Sequence, residues 1–150
     1  MFEPIDRRST CRPYALAGWL LSGLVGAAVL VLATQGWSPQ PYLPPLEALQ
    51  GVLPYWLSLC VQAAVLAAMA DISWRLQRGL LVPDPRLGRV LAWLGAGYMI
   101  VAFARIAFGL ALPQAAPWFR MWIPALVHVV LASFVLTLSL YHRREQTVLW

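Results

Sequence analysis

Four long apolar stretches constrain the fold of this chain more than any other feature of its sequence. They cover residues 14–34, 54–74, 90–112 and 119–141, and each has the roughly 20 residues that a helix needs to cross a bilayer. In hydrocarbon the backbone N–H and C=O groups must be satisfied within the segment, which selects helices. We therefore expect an all-α, integral membrane four-helix bundle that forms a single transmembrane domain over residues 1–150.

The composition agrees with a bilayer as the solvent. Hydrophobic residues make up 61% of the chain and charged residues 11%, against about a quarter charged in soluble domains. The first apolar stretch is too long for the core of a usual signal peptide, so we interpret it as a retained helix. Cys11 precedes this stretch and Cys60 lies within the second, so the two cannot form a disulfide in this topology.

The net charge of +5 is carried by arginines, which cluster on one side of the expected spans. The residues on that side are Arg7, Arg8, Arg12, Arg75, Arg78, Arg86, Arg89, Arg143 and Arg144. Only Arg120 borders the opposite side. The positive-inside rule then predicts a multi-pass protein of a bacterial inner membrane, with both termini cytoplasmic and residues 35–53 and 113–118 outside. The basic charge is explained by topology, and we expect no nucleic-acid partner.

Small residues and prolines give the chain further organisation. Gly18, Ser22 and Gly26 recur at intervals of four, and the second span repeats the pattern in two alanine pairs, 63/67 and 64/68. Such stripes permit close helix contact, and we expect them to pack within the bundle. The proline-rich loop 35–53, with a short turn over 46–53, is expected to lie along the outer surface. We interpret it as a covered loop, and a lid or docking surface is the alternative.

Arg105 is the candidate functional residue, because no other charge occurs between Arg89 and Arg120. A charge at membrane depth costs about 2.5 to 3.5 kcal/mol on insertion scales, so it usually faces a partner or a wet cavity. Snorkelling to the outer headgroups is the alternative. The sequence alone leaves both open.

Counting along antiparallel helices at about 1.5 Å per residue places Gln62, Arg105 and His128 at a similar depth in the outer half. Tyr98 and Ser58 flank them, one on the face of Arg105 and one on the face of Gln62. We predict that these five residues bind a ligand or partner. With no carboxylate at that level, an anionic ligand, a lipid phosphate or a partner's acidic residue would complement Arg105.

Two other polar groups receive less specific interpretations. Asp71 lies near the inner end of the second span with Arg75 one turn beyond, and we expect an interfacial ion pair rather than a proton relay. His128 as a haem ligand would need a second axial ligand from Met121 or a partner, since His142 lies at the inner end of the same helix. Because the sequence has no Ser-His-acid arrangement, metal-ligand spacing or phosphate loop, we expect neither an enzyme nor a cofactor or metal site.

The centre of the chain resembles an uncharacterised family of four-helix bacterial inner-membrane proteins. The resemblance is carried by ISWRLQRGLL at 72–81 and RLGRVLAWLG at 86–95, and it extends over the second to fourth spans. It implies an arginine-rich end of the second helix, a short turn and an arginine-led third helix. It implies a topology and assigns no activity to Arg105 or His128.

These observations favour a non-enzymatic membrane protein that acts through contact with another membrane protein, as an accessory subunit, a regulator or an immunity factor against a membrane-inserting toxin. The alternative is a small-ligand or ion pathway that uses the Arg105, His128 and Gln62 cluster, and a haem-bearing anchor ranks below it. The expected partners are membrane lipids and either a membrane-protein partner or further copies of the chain.

Overall fold

The computed structural model of the chain describes residues 7–49, 53–112 and 122–144, and these residues form only helices, turns and short connections. The helices are α1 Arg7–Trp37, α2 Leu46–Leu49, α3 Tyr55–Gln77, α4 Pro85–Ala111 and α5 Trp122–Arg144. Four of them, α1, α3, α4 and α5, are long and apolar enough to cross a membrane. The structure thus has the expected set of four candidate transmembrane helices, which indicates a multi-pass membrane protein.

The turn between α3 and α4 is built from local backbone chemistry. Gly79 adopts a φ of 67°, a conformation that side chains disfavour, directly after the end of α3. Asp84 then caps α4, because its Oδ1 accepts hydrogen bonds from the backbone N–H of Arg86 at 2.8 Å and of Leu87 at 3.4 Å. With Pro85 as its first residue, α4 begins five residues before the predicted span 90–112.

The C-terminal end of α1 differs from the predicted span 14–34. The helix continues to Trp37, so the connection that follows it is shorter than the predicted loop 35–53. Gln35 is buried, and its side-chain oxygen accepts a hydrogen bond from the backbone N–H of Gln40 at 2.8 Å. This amide ties the proline-rich segment back onto the helix. Part of the expected turn at 46–53 forms α2, while residues 50–52, the connection 113–118 and the expected start of the fourth span at 119 lie outside the described residues.

The order of the helices around the bundle does not follow the chain. Helix α1 packs against α3 and α5, and α5 packs extensively against α4, whereas α3 and α4 have little or no direct contact although they are consecutive. The sequence of neighbours is therefore α3, α1, α5, α4. We use the term α3–α4 edge for the side of the bundle bordered by α3 and α4, which do not pack on each other. The main core lies among α1, α3 and α5, where Val25, Met69 and Phe134 are buried.

Only one of the two predicted small-residue stripes packs inside the bundle. Gly18 lies against α3 so closely that an added Cβ would be 2.6 Å from Ser73 Oγ, and Ser22 on the same face is 3% exposed. The alanines at 63, 64, 67 and 68 are exposed instead, so the prediction that they pack within the bundle is wrong. Helix α3 turns a different face inward, on which Ser58, Met69, Ser73 and Leu76 are buried.

Glycine sets the close contact between α4 and α5. The buried face of α4 has Gly88, Gly95 and Ala102 at intervals of seven residues. An added Cβ at Gly95 would lie 2.8 Å from Leu136 Cδ2 and 3.3 Å from the Leu136 backbone nitrogen. Small residues at these positions let two helix backbones approach, which is a main source of packing energy between helices in lipid.

We expect Gly95→Val to destabilise the bundle, because a branched side chain must displace Leu136 and the α5 backbone behind it. Overpacking of this kind costs about 1 to 3 kcal/mol. Gly97→Val is the matched control, since Gly97 lies two residues along the same helix and an added Cβ there meets nothing within 4 Å. Unfolding in mixed micelles measures both, and equal stability of the two variants would contradict the close α4–α5 contact.

Candidate functional site

A cavity of about 300 Å³ lies among the helices toward the end of the bundle that carries the 38–54 connection. Most of its wall is apolar, with Val25 and Leu32 from α1, Val65 from α3 and Leu131 from α5. Its polar lining consists of Ser58, Gln62, Arg105 and His128. The volume falls at the lower end of the range for small-molecule pockets, which are mostly apolar with a few converging polar groups.

Arg105 is the residue that α4 contributes to this cavity. It is 5% exposed, on the same buried face of α4 as Gly95 and Ala102. The structure thus turns the guanidinium toward the bundle interior and away from the outer helix surface, where a snorkelling side chain would lie. A guanidinium stays protonated in proteins, so the cavity contains a permanent positive charge.

Tyr98 and His128 form a direct hydrogen bond between α4 and α5, with the Tyr98 hydroxyl oxygen 2.6 Å from His128 Nδ1. A neutral imidazole has one donor nitrogen and one acceptor nitrogen, and the partner of one nitrogen sets the role of the other. When the hydroxyl donates to Nδ1, the proton of His128 resides on Nε2. When Nδ1 instead donates to the Tyr98 oxygen, Nε2 is the acceptor, so Tyr98 couples the hydrogen-bonding role of His128 to its own.

Ser58 and Gln62 form the polar pair on α3. The Gln62 amide Nε2 donates to Ser58 Oγ at 3.1 Å, one helical turn apart. Ser58 Oγ accepts in this contact, and both side chains line the cavity. The Gln62 carbonyl oxygen is the acceptor of this pair.

The structure therefore brings the five predicted residues together around one cavity. Four of them line it, and Tyr98 contacts it through His128. Depth counting along the spans predicts their common level, but it does not predict the Tyr98–His128 hydrogen bond. The arrangement can bind a molecule that has an anionic group beside an apolar part, since donors and a fixed cation meet an apolar wall.

The sequence predicts loop 35–53 as a covered loop or as a lid, but it does not predict which of its residues line the cavity. Leu49 of α2 is 8% exposed, and both Leu49 and Leu53 line the cavity. Residues on both sides of the undescribed segment 50–52 thus form part of the cavity wall. The available signal was the recurrence of leucine at 46, 49 and 53 in a segment otherwise rich in proline.

The other predicted groups lie away from the cavity. Asp71 Oδ2 is 2.8 Å from Arg75 Nε, and both side chains are more than half exposed, so this ion pair contributes at most about 1 kcal/mol. At the same arginine-rich end, His142 Nδ1 accepts a hydrogen bond from the Asp84 backbone N–H at 3.0 Å. Among the described residues no three metal-binding side chains cluster, and Met121, the alternative axial ligand for a haem, lies outside them.

Comparisons with protein-family models, curated proteins and solved structures returned no match. The resemblance of residues 72–95 to a family of bacterial inner-membrane proteins therefore stays a prediction. The interpretation of the site rests on its own geometry.

We expect the Tyr98–His128 hydrogen bond to contribute measurably to stability. A double-mutant cycle with Tyr98→Phe and His128→Leu should give a coupling energy of about 0.6 to 1.7 kcal/mol, the range found for hydrogen bonds between membrane helices. The matched cycle pairs His128→Leu with Tyr42→Phe, because Tyr42 is 79% exposed on the outer connection. Its coupling should be near zero, and an equal value in both cycles would argue against the bond.

Proposed function

We propose that this chain is a non-enzymatic protein of the bacterial inner membrane that binds an amphipathic anion in its outer-half cavity. The observation that supports this most is a mostly apolar cavity that ends at a buried arginine. The distribution of arginines supports an orientation with both termini in the cytoplasm, which places the cavity in the outer half of the bilayer.

Charge complementarity favours an anionic group over a neutral one. Hydrogen bonds to charged groups are stronger than neutral ones, and a guanidinium binds carboxylate or phosphate through two parallel N–H donors. In surroundings of low dielectric constant this attraction is larger than in water. His128 and Ser58 line the same cavity, and an imidazole and a hydroxyl can each donate to an oxygen-rich group beside Arg105.

The apolar wall favours an attached hydrocarbon part. Side chains from α1, α3 and α5 form most of the lining, and little of it offers a hydrogen bond to water or to a hydrated ion. A binding site for a lipid-like molecule fits this lining better than an ion pathway does. The α3–α4 edge supplies a route from the bilayer, because α3 and α4 contribute Gln62 and Arg105 without packing on each other.

Laurate and dodecanol test this function, because they have the same chain length and differ in headgroup charge. We expect the purified protein to retain laurate more strongly than dodecanol in native mass spectrometry from neutral detergent. Arg105→Gln should weaken laurate retention by about tenfold or more, the effect of losing a charge-assisted contact. Arg105→Lys keeps the charge, so its laurate retention should fall between that of the unchanged protein and that of Arg105→Gln.

Arg78→Gln is the matched control, since Arg78 is exposed and its guanidinium lies 4.5 Å from the Trp74 ring at the arginine-rich end. It should bind laurate as the unchanged protein does. Folding of every variant is verified by its unfolding midpoint. Equal retention of laurate and dodecanol, or full retention of laurate by a folded Arg105→Gln variant, would contradict the proposal.

A second candidate is contact with another membrane helix, as in an accessory subunit, a regulator or an immunity factor. The observation that favours it is the exposed alanine surface of α3, at 63, 64, 67 and 68, on a helix that also borders the α3–α4 edge. Small residues on an outer face permit close approach of a partner helix. An acidic residue on that helix would complement Arg105.

The exposed thiol of Cys60 lies one turn before Ala64 and reports on such a contact. If α3 packs on a second copy of the chain, oxidation in membranes should produce a disulfide-linked dimer, and Cys60→Ser should abolish it. Cys11 is buried and serves as the internal comparison. A chain that stays monomeric on oxidation and purifies without another protein would contradict this candidate.

A further inference from the structure

We propose that the arginine-rich end of the α4–α5 hairpin contains a second, independent site that binds the phosphate groups of an anionic phospholipid. Arg86 and Arg89 from the first turns of α4, and Arg143 from the last turn of α5, line one open pocket together with Pro85. The pocket measures about 500 Å³. It lies on the opposite end of α4 from Arg105 and does not depend on the cavity described above.

The three arginines converge because two helix ends are held together beneath them. Ser139 Oγ donates to the Gly88 carbonyl oxygen at 2.8 Å, and His142 Nδ1 accepts from the Asp84 backbone N–H at 3.0 Å. Ser139 and His142 are both buried. These contacts fix the start of α4 against the end of α5, so the three side chains share one pocket without an induced rearrangement.

Gly88 is part of the same scaffold. An added Cβ at this position would lie 2.9 Å from Arg143 Cγ and 3.2 Å from the His142 carbonyl carbon. The absence of a side chain lets the stem of Arg143 lie across the first turns of α4. Arg143 is thereby placed beside Arg86 and Arg89 in the pocket.

The chemistry of the pocket selects phosphate oxygens. Three arginine side chains line one pocket, and an anion with several oxygens can accept paired N–H donors from their guanidinium groups. The Asp84 carboxylate, the nearest acidic group along the described chain, accepts hydrogen bonds from the backbone of α4 and serves as its cap.

The position of the pocket selects a lipid as the source of that phosphate. The pocket opens at the helix ends, and exposed apolar side chains follow directly along α4, with Leu87 43%, Val90 53% and Trp93 82% exposed. A phospholipid would place its phosphate at the arginines and its acyl chains along these residues. Basic pockets of this kind between helices at the cytoplasmic side are typical of cardiolipin-like headgroup sites.

Native mass spectrometry of the full chain in neutral detergent tests the site, with cardiolipin, phosphatidylglycerol and phosphatidylcholine added in equal amounts. We expect cardiolipin to be retained most and phosphatidylcholine least. Arg89→Gln combined with Arg143→Gln should reduce cardiolipin retention by about tenfold or more. Inorganic phosphate at the same concentration should neither bind measurably nor displace the lipid.

The control is Arg12→Gln combined with Arg78→Gln, which removes the same charge from exposed arginines outside the pocket. This variant should retain cardiolipin like the unchanged protein. Equal loss in both double variants would assign the binding to net charge and overturn the proposal. Equal retention of phosphatidylcholine, or displacement of cardiolipin by inorganic phosphate, would also overturn it.

Discussion

The burial of one guanidinium group is the constraint around which the cavity end of this structure is arranged. Arg105 cannot lose its charge, and burial of a charge without compensating contacts is expensive in any apolar medium. The bundle places it at the end of a cavity where Ser58, Gln62 and His128 also converge. Polar groups from three helices thus line one cavity, while the rest of its wall is apolar.

The close contact of α4 with α5 makes this concentration possible. Glycines on one face of α4 bring its backbone against α5, and the same face carries Arg105. Tyr98 of α4 then reaches His128 of α5 and sets the hydrogen-bonding role of the imidazole. Helix α4 packs on α5 and has little or no contact with α3. The α3–α4 edge follows from this arrangement of neighbours.

Hydropathy and charge predicted the four spans, since the length of an apolar stretch and the arginines beside it are local properties of the sequence. The common depth of Gln62, Arg105 and His128 was also predictable, because helix rise is constant. The sequence did not predict which helices are neighbours. The spans are apolar on every side, so the sequence does not mark which face meets lipid, as the exposed alanines of α3 illustrate. The closing of the cavity by Leu49 likewise depends on how a proline-rich connection folds back.

The guanidinium nitrogen signals of Arg105 give the most direct test that this residue anchors an anionic ligand. They are measured by NMR on protein with ¹⁵N-labelled arginine in nanodiscs and assigned by comparison with Arg105→Gln. Addition of laurate should shift the Arg105 signals while those of the exposed Arg12, Arg75 and Arg78 stay in place, and dodecanol should leave the Arg105 signals unchanged. Arg105 signals that do not respond to laurate, or that respond equally to dodecanol, would contradict the account.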